Sequence, residues 1–153
     1  MVTRPPAAIV LIYHSYRDPL FRNLMLEYLR TLVKSEEVHF YLITFEQKYY
    51  ALSVEEVRRE QRILRQNGIS WYPVPYHGGS FIVLKKFVDL FQAIFLIGKI
   101  RQHTQAKLLV TFTNLSASIG IICAQLFRLK MLVYCYEPHS DFLVELGIWR
   151  KGS

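Results

Sequence analysis

Short, continuous apolar segments alternate with longer segments of helical periodicity along the chain. Residues 8–13 form a continuous, partly β-branched segment, which is typical of a strand buried on both faces of a parallel sheet. The next segment repeats apolar residues at helical spacing, and Asp18-Pro19 predicts its start, with Asp18 as the N-cap. The same reading predicts further strands at 38–45, 69–74, 108–113 and 131–136, each followed by a helix.

Local sequence signals define the predicted helices. Ser53-x-x-Glu56 is a capping box that starts the second helix. Ser80 is predicted to cap a long apolar helix over 81–103, and the helix over 115–128 is rich in small residues that let it lie close to a sheet. Strands and helices in strict alternation predict an α/β fold, a single Rossmann-like open parallel sheet with helices on both faces.

Polar residues gather where three of the predicted strands end. The fifth strand runs into Glu137-Pro138-His139-Ser140-Asp141, and Pro138 ends it because proline cannot donate to a strand ladder. In a strand order 3-2-1-4-5, strands one and four are neighbours, and the ligand crevice opens at their carboxyl ends. The clusters after those strands are His14 to Asp18 and Thr113, Asn114 and Ser116. We therefore predict one polar crevice at this edge of the sheet.

Most of these polar residues also have a structural interpretation. Asp18 and Asp141 fit helix N-caps, and Asn114 can cap the helix that it begins. The pair Gly78-Gly79 before a helix could cradle a phosphate, but the surrounding pattern does not support it. Residues 137–141 are harder to explain by packing, because none of them is apolar and they directly follow a core strand.

Composition narrows the class of protein. A chain of 153 residues that is 52% hydrophobic can build one domain with a proper core, which excludes a disordered tail. The formal net charge is +7, but the basic residues are dispersed, and the densest run, 58–65, is typical of a solvated helix face. We therefore expect no nucleic-acid partner. The chain has no dinucleotide fingerprint, Walker loop or metal-ligand spacing, so we expect no cofactor and no metal.

Two features bear on the compartment. Cys123 and Cys135 lie in apolar segments, which favours buried free thiols and a cytoplasmic location, and no cleavable signal follows the first apolar segment. The apolar region 81–100 is interrupted by charged residues, which is poor for a spanning helix. It can be a core helix that covers the sheet, or an amphipathic helix in peripheral contact with anionic lipid at the inner membrane face.

With these strands and polar segments in place, the chain resembles the N-terminal domain of GT-B glycosyltransferases, most closely the family 4-like group of bacterial sugar transferases. The resemblance covers nearly the whole chain and rests mainly on Ser15-Tyr16-Arg17-Asp18 and on residues 136–149. His139 matches a histidine that faces the donor sugar in the interdomain cleft of many members. The turn after strand one departs from the Gly-Gly turn that the wider family often carries there.

The resemblance implies the acceptor-binding half of a retaining glycosyltransferase, of the kind that serves polysaccharide biosynthesis. The intact enzyme would move a sugar from a nucleotide-diphosphate sugar to a glycan or a lipid-linked acceptor. His139 would be its catalytic residue in this half, and Arg17 would contact acceptor or phosphate. The other expected substrate-binding residues are Ser15, Tyr16, Asn114, Glu137, Ser140 and Asp141.

The family's second Rossmann domain, which grips the nucleotide sugar through a paired-glutamate motif, has no counterpart within residues 1–153. We therefore expect that domain to be missing from this chain, either because the chain is a fragment or because the partner domain is a separate chain. We also expect the chain by itself to be inactive. The alternative is a non-catalytic Rossmann- or flavodoxin-like binding or interaction module, in which the polar clusters serve as caps.

Overall fold

The sheet is described by a computed structural model that covers residues 5–36, 38–79 and 81–134. Its five strands are β1 (Ala7–Ile12), β2 (His39–Glu46), β3 (Ile69–Pro75), β4 (Leu108–Phe112) and β5 (Lys130–Tyr134). They pair in the order β3-β2-β1-β4-β5, and every neighbouring pair is parallel. The predicted α/β fold and its 3-2-1-4-5 strand order are confirmed.

Four helices connect the strands. They are α1 (Leu26–Glu36), α2 (Val54–Gln66), α3 (Ile82–Thr104) and α4 (Asn114–Phe127). A π-helical segment, Phe21–Met25, leads directly into α1, and a short 3-10 turn, Lys48–Tyr50, precedes α2. The observed bounds of the later helices and of the strands differ from the predicted ones by one or two residues at most ends.

The sheet is buried on both faces, which is why its central strand reads as continuously apolar. Val10 and Ile12 of β1 pack into a core with residues of α1, α2 and the segment before α1. Ile9 and Leu11 point the other way, into a second core with residues of α3 and α4. All four side chains are fully buried. The prediction of helices on both faces is therefore confirmed.

The local capping signals act as predicted. Ser53 Oγ accepts the backbone N–H of Glu56 at 3.2 Å, and Glu56 Oε2 accepts the backbone N–H of Ser53 at 2.8 Å. Asp18 Oδ1 accepts the backbone N–H of Leu20 at 2.9 Å, so Asp18 caps the first helical turn. Ser80, predicted to cap α3, lies outside the described residues.

Helix α4 lies close to the sheet because of one glycine. A Cβ at Gly120 would lie 2.6 Å from Thr111 Cγ2 and 3.0 Å from Met131 Cε, so only a hydrogen fits between α4 and strands β4 and β5. Cys123, on the same helix, is buried and free, and burial raises the pKa of its thiol to about 11. Cys123 is thus the buried free thiol that the sequence predicts, and a thiol in that environment is inert. Cys135 lies outside the described residues.

A helix that crosses a membrane must be long and apolar enough to span the hydrocarbon core of the bilayer. Among residues 5–36, 38–79 and 81–134, no helix combines the length and the apolar character that crossing a membrane requires.

Candidate functional site at the carboxyl edge of the sheet

The carboxyl ends of β1 and β4 are joined to the start of α4. The backbone N–H of Tyr13, directly after β1, donates to Ser116 Oγ at 2.8 Å, and Ser116 is fully buried in the first turn of α4. Thr113, between β4 and α4, has φ 74°, which is rare for a β-branched residue. Its backbone N–H donates to Tyr134 O at 3.2 Å. Such backbone strain clusters at functional sites, where the surrounding structure holds it.

Ser15 connects two loops at this edge. Its side chain is fully buried. Its Oγ accepts the backbone N–H of Gln47 at 2.7 Å and donates to the carbonyl oxygen of Phe45 at 3.3 Å. The hydroxyl is therefore occupied inside the protein, and we leave Ser15 out of the set of proposed substrate contacts.

Tyr16 is also held inside the protein. Its ring stacks on Trp71 with centroids 4.2 Å apart, and its hydroxyl donates to Glu60 Oε2 at 2.9 Å. Burial, together with the nearby Glu60 carboxylate, raises the pKa of the Tyr16 phenol far above its usual value. With only 1% of its surface exposed, Tyr16 fixes the loop in place, and we leave it out of the substrate contacts as well.

Arg17 and Asn114 remain accessible. Arg17 Nη2 lies 2.5 Å from Glu56 Oε1, and the guanidinium is partly exposed at the rim of a surface depression of about 370 Å³. Arg22 and Arg30 line the same depression, so its rim is rich in positive charge. Asn114 is the first residue of α4 and is exposed. Both are placed to contact a ligand at this edge.

His14 and Asp18 form a pair after β1. His14 Nδ1 lies 3.2 Å from Asp18 Oδ2, and their side chains are 31% and 18% exposed. Asp18 Oδ1 is used in capping the following helix. The imidazole of His14 is therefore placed by a carboxylate whose main task is structural.

A second cluster of ionisable groups was not predicted from the sequence. It consists of Tyr13, His77, Lys86 and Asp89, and it joins the end of β1, the loop after β3 and the second turn of α3. We refer to it as the Asp89 cluster. At its centre is the Asp89 carboxylate, which is fully buried.

Each oxygen of the Asp89 carboxylate accepts from defined donors. His77 Nδ1 lies 2.6 Å from Oδ1, and the backbone N–H of His77 also points to Oδ1, at 3.3 Å. The hydroxyl of Tyr13 donates to Oδ2, and Lys86 Nζ lies 3.4 Å from Oδ2 and 2.6 Å from the Tyr13 oxygen. Burial and the adjacent carboxylate raise the pKa of the Tyr13 phenol far above its usual value, so its proton stays in place. The buried charge is thus paired and hydrogen-bonded, as it must be.

The sequence carried one signal for this cluster. Asp89 lies on the same stripe of α3 as Ala93, Ile97 and Ile100, which all point into the core. A carboxylate on a buried helical stripe has to find a partner, because burying an unpaired charge costs several kcal/mol. Sequence alone shows Asp89 as an interruption of an apolar segment and does not identify its partners.

The remaining predicted site residues cannot be placed. Glu137, His139, Ser140 and Asp141 lie outside the described residues, so their roles stay predictions. Within the described residues, no group of three or more His, Cys, Asp or Glu side chains is arranged to hold a metal ion.

Comparisons with known proteins give the class of fold. No protein-family model matches the chain, and no curated protein matches it. Among solved structures, apo UGT2 of Phytolacca americana covers 94% of this chain, with a TM-score of 0.64 and 16% identity. MurG of Acinetobacter baumannii covers 92% of it, with a TM-score of 0.53 and 13% identity. Both are GT-B glycosyltransferases, so the chain has a GT-B-like fold.

The likeness covers only part of each glycosyltransferase chain and is shared by a domain of a different protein. The chain spans only 32% of the UGT2 chain and 39% of the MurG chain. The C-terminal domain of the PF1911 hydrogenase from Pyrococcus furiosus is also similar, with a TM-score of 0.53 and 10% identity over 88% of this chain. At identities this low the likeness shows the fold alone, and one fold can serve unrelated activities. The narrower resemblance to the family 4-like group stays a prediction.

Proposed function

We propose that the chain is the acceptor-binding half of a retaining glycosyltransferase that moves a sugar from a nucleotide-diphosphate sugar to a glycan or lipid-linked acceptor. The observation that carries this proposal is the GT-B-like fold over nearly the whole chain, with its polar groups at the carboxyl edge of the sheet. In open parallel sheets this edge is where ligands bind.

Each polar side chain of the proposed site has a role that we assign from its position in the chain and the resemblance. Arg17 and Asn114 contact acceptor or phosphate from the edge that the structure describes. His139 is the proposed catalytic residue that faces the donor sugar, and Glu137, Ser140 and Asp141 orient it or bind sugar hydroxyls. In retaining transfer the donor phosphate assists on one face of the sugar, so this half needs no protein nucleophile. A nucleotide-sugar domain outside this chain supplies the remaining contacts to the diphosphate, as the resemblance implies.

Replacing His139 in an intact enzyme built on this domain tests the proposed chemistry. The imidazole stabilises the donor sugar most as positive charge develops on it, so His139→Ala should lower kcat more than it raises KM. We expect kcat to fall by roughly 10²-fold, as for the loss of one preorganised donor, with the melting temperature unchanged. A mutant with full kcat removes His139 from the site. A product with inverted anomeric configuration, seen by NMR, contradicts retention.

The competing function is a non-catalytic binding module, because the same fold occurs in the PF1911 hydrogenase domain and one fold can serve unrelated functions. The coding sequence downstream of Ser153 separates the two functions. A second Rossmann-like half with paired glutamates supports the transferase, whereas the absence of such a half, both there and as a separately encoded partner chain, favours the binding module.

We also propose that the outer face of α3 and α4 rests on an anionic membrane, which suits a lipid-linked acceptor. These two helices cover one face of the sheet, yet they present large apolar side chains to solvent. The exposed ones are Val83, Leu84, Phe87, Val88, Phe91 and Phe95 on α3, and Leu115, Ile121, Ile122 and Leu126 on α4. On α3, Leu84, Val88, Phe91 and Phe95 follow helical spacing, so they form one continuous stripe.

The charges of α3 and α4 indicate which kind of surface this face would bind. Helix α3 carries Lys85, Lys99 and Arg101, while Lys86 is paired with the single acid of the helix, the buried Asp89. Helix α4 contains no charged residue at all. A face that combines exposed aromatic rings with positive charge complements an anionic lipid surface.

Sedimentation with phosphatidylserine vesicles at low salt tests this contact. The wild-type chain should sediment with the vesicles, and the double variant Phe91→Ser/Phe95→Ser should stay in the supernatant. Tyr49→Ser is the matched control, because Tyr49 is 89% exposed but lies on the short turn before α2. A wild-type chain that fails to sediment ends the lipid proposal. A dimer that becomes monomeric in the double variant would identify a second copy of the chain as the occupant.

A further inference from the structure

The imidazole of His77 is a partly exposed member of the Asp89 cluster. Both Nδ1 and the backbone N–H of His77 are directed to Asp89, and the side chain of His77 is 32% exposed. Within the described part of the chain, no group forms a hydrogen bond with His77 Nε2. Building on the function proposed above, we propose that His77 Nε2 binds a hydroxyl group of the sugar acceptor.

The contact with Asp89 engages Nδ1 of the His77 ring and leaves Nε2 to bond a ligand. An ionised carboxylate can only accept, so the hydrogen of the 2.6 Å contact sits on Nδ1. An unprotonated Nε2 accepts a hydrogen bond and a protonated Nε2 donates one, and a hydroxyl group is a suitable partner in both cases. Lys86, 3.4 Å from Asp89, compensates the charge of the carboxylate.

The cluster also fixes the direction of the ring. Asp89 is anchored by the Tyr13 hydroxyl, and Tyr13 is tied to α4 through Ser116. His77 therefore cannot move without disturbing the end of β1. A binding group that is held in place before the ligand arrives loses little conformational entropy when it binds.

The surroundings of His77 fit a sugar ring. Gly79 has φ +87°, and among the described residues a Cβ built on it would meet only Lys85 Nζ within 4 Å, at 3.8 Å, so these residues leave space next to the loop. Phe81, four residues after His77, is 80% exposed and takes φ 58°, which is rare for an aromatic residue. A sugar offers hydroxyls at its rim and C–H groups on its face. A hydrogen-bonding imidazole and an exposed aromatic ring on the same loop offer one group of each kind.

A purely structural role for His77 makes a different prediction. In that case the only role of His77 is to connect the loop after β3 to α3 through Nδ1, and Nε2 does not take part in ligand binding. The two roles reside on different atoms of the ring, so two substitutions separate them. His77→Asn keeps a donor near Nδ1 for Asp89 and removes the group at Nε2, whereas His77→Gln keeps a polar group near Nε2.

The experiment probes a printed array of unprotected mono- and oligosaccharides with the purified chain, and thermal unfolding is measured on the same samples. We expect the wild-type chain to bind a defined set of glycans and His77→Asn to bind them about tenfold more weakly at an unchanged melting temperature. His77→Gln should retain more of the binding than His77→Asn. If His77→Asn binds as tightly as wild type, His77 is only structural and the inference is wrong, although the proposed function survives. A wild-type chain that binds no glycan overturns both.

Discussion

Two imidazole–carboxylate pairs lie at the carboxyl edge of the sheet, and they differ mainly in their carboxylates. The imidazoles of His14 and His77 are almost equally exposed, at 31% and 32%. Asp18, the partner of His14, is 18% exposed and 3.2 Å away, whereas Asp89, the partner of His77, is fully buried and 2.6 Å away. The difference therefore lies in the carboxylates.

The two carboxylates also have different tasks. Asp18 precedes its helix by one residue and caps it, so its contact with His14, four residues earlier, is local. Asp89 joins its own helix to the loop before it, through His77, and to the end of β1, through Tyr13, 76 residues away in sequence. Lys86, one turn earlier on the same helix, completes the set of partners. Electrostatic contacts strengthen as water is excluded, so the buried pair holds its imidazole more firmly. A histidine backed in this way is the better binding group.

The largest expected effect separates the two carboxylates directly. Asp89→Asn leaves Lys86 without its buried counter-charge and should reduce the free energy of unfolding by about 3 kcal/mol. This value is at the low end of the destabilisation expected for breaking a buried ion pair, because the partly exposed Lys86 can still be hydrated. Asp18→Asn should change it by less than about 0.5 kcal/mol, since asparagine is as good an N-cap as aspartate. Urea denaturation of both variants measures the difference, and equal effects would contradict the contrast between the pairs.

A smaller effect is expected at the hydroxyl that anchors Asp89. Tyr13→Phe removes the donor to Oδ2 and should reduce the free energy of unfolding by about 2 kcal/mol, as for a hydrogen bond to a charged group. Tyr28→Phe is the control, because Tyr28 is 45% exposed and its loss of a hydroxyl should have little effect. A Tyr13→Phe protein as stable as wild type would show that the carboxylate does not depend on this bond.

The fold could be predicted from the sequence because its signals are local. Continuous apolar segments, an N-cap at Asp18 and the Ser53–Glu56 capping box each specify structure within a few residues. The alternation of strands and helices predicted the Rossmann-like class, and the strand order assumed for that class is the one observed.

The site could be predicted only in part, because its contacts are distant in sequence. Polar residues after β1 predicted a site at the carboxyl edge, but Ser15 and Tyr16 turn inward to partners about 30 and 44 residues away. Pairing of Tyr13 with Asp89 spans 76 residues, and no local pattern reports it. A single acid on the buried stripe of α3 was the available sign.

The carboxyl edge of the sheet is the surface that we propose binds the sugar acceptor. The most direct measurement is a titration of the ¹⁵N-labelled chain with the saccharide that binds best on the array, followed by amide chemical shifts. We predict shifts at Tyr13, Arg17, His77 and Asn114, at the carboxyl edge, and unchanged signals at Ala106 and Lys107, at the amino edge beside β4. Shifts confined to Ala106 and Lys107, with the carboxyl edge unaffected, would contradict the claim.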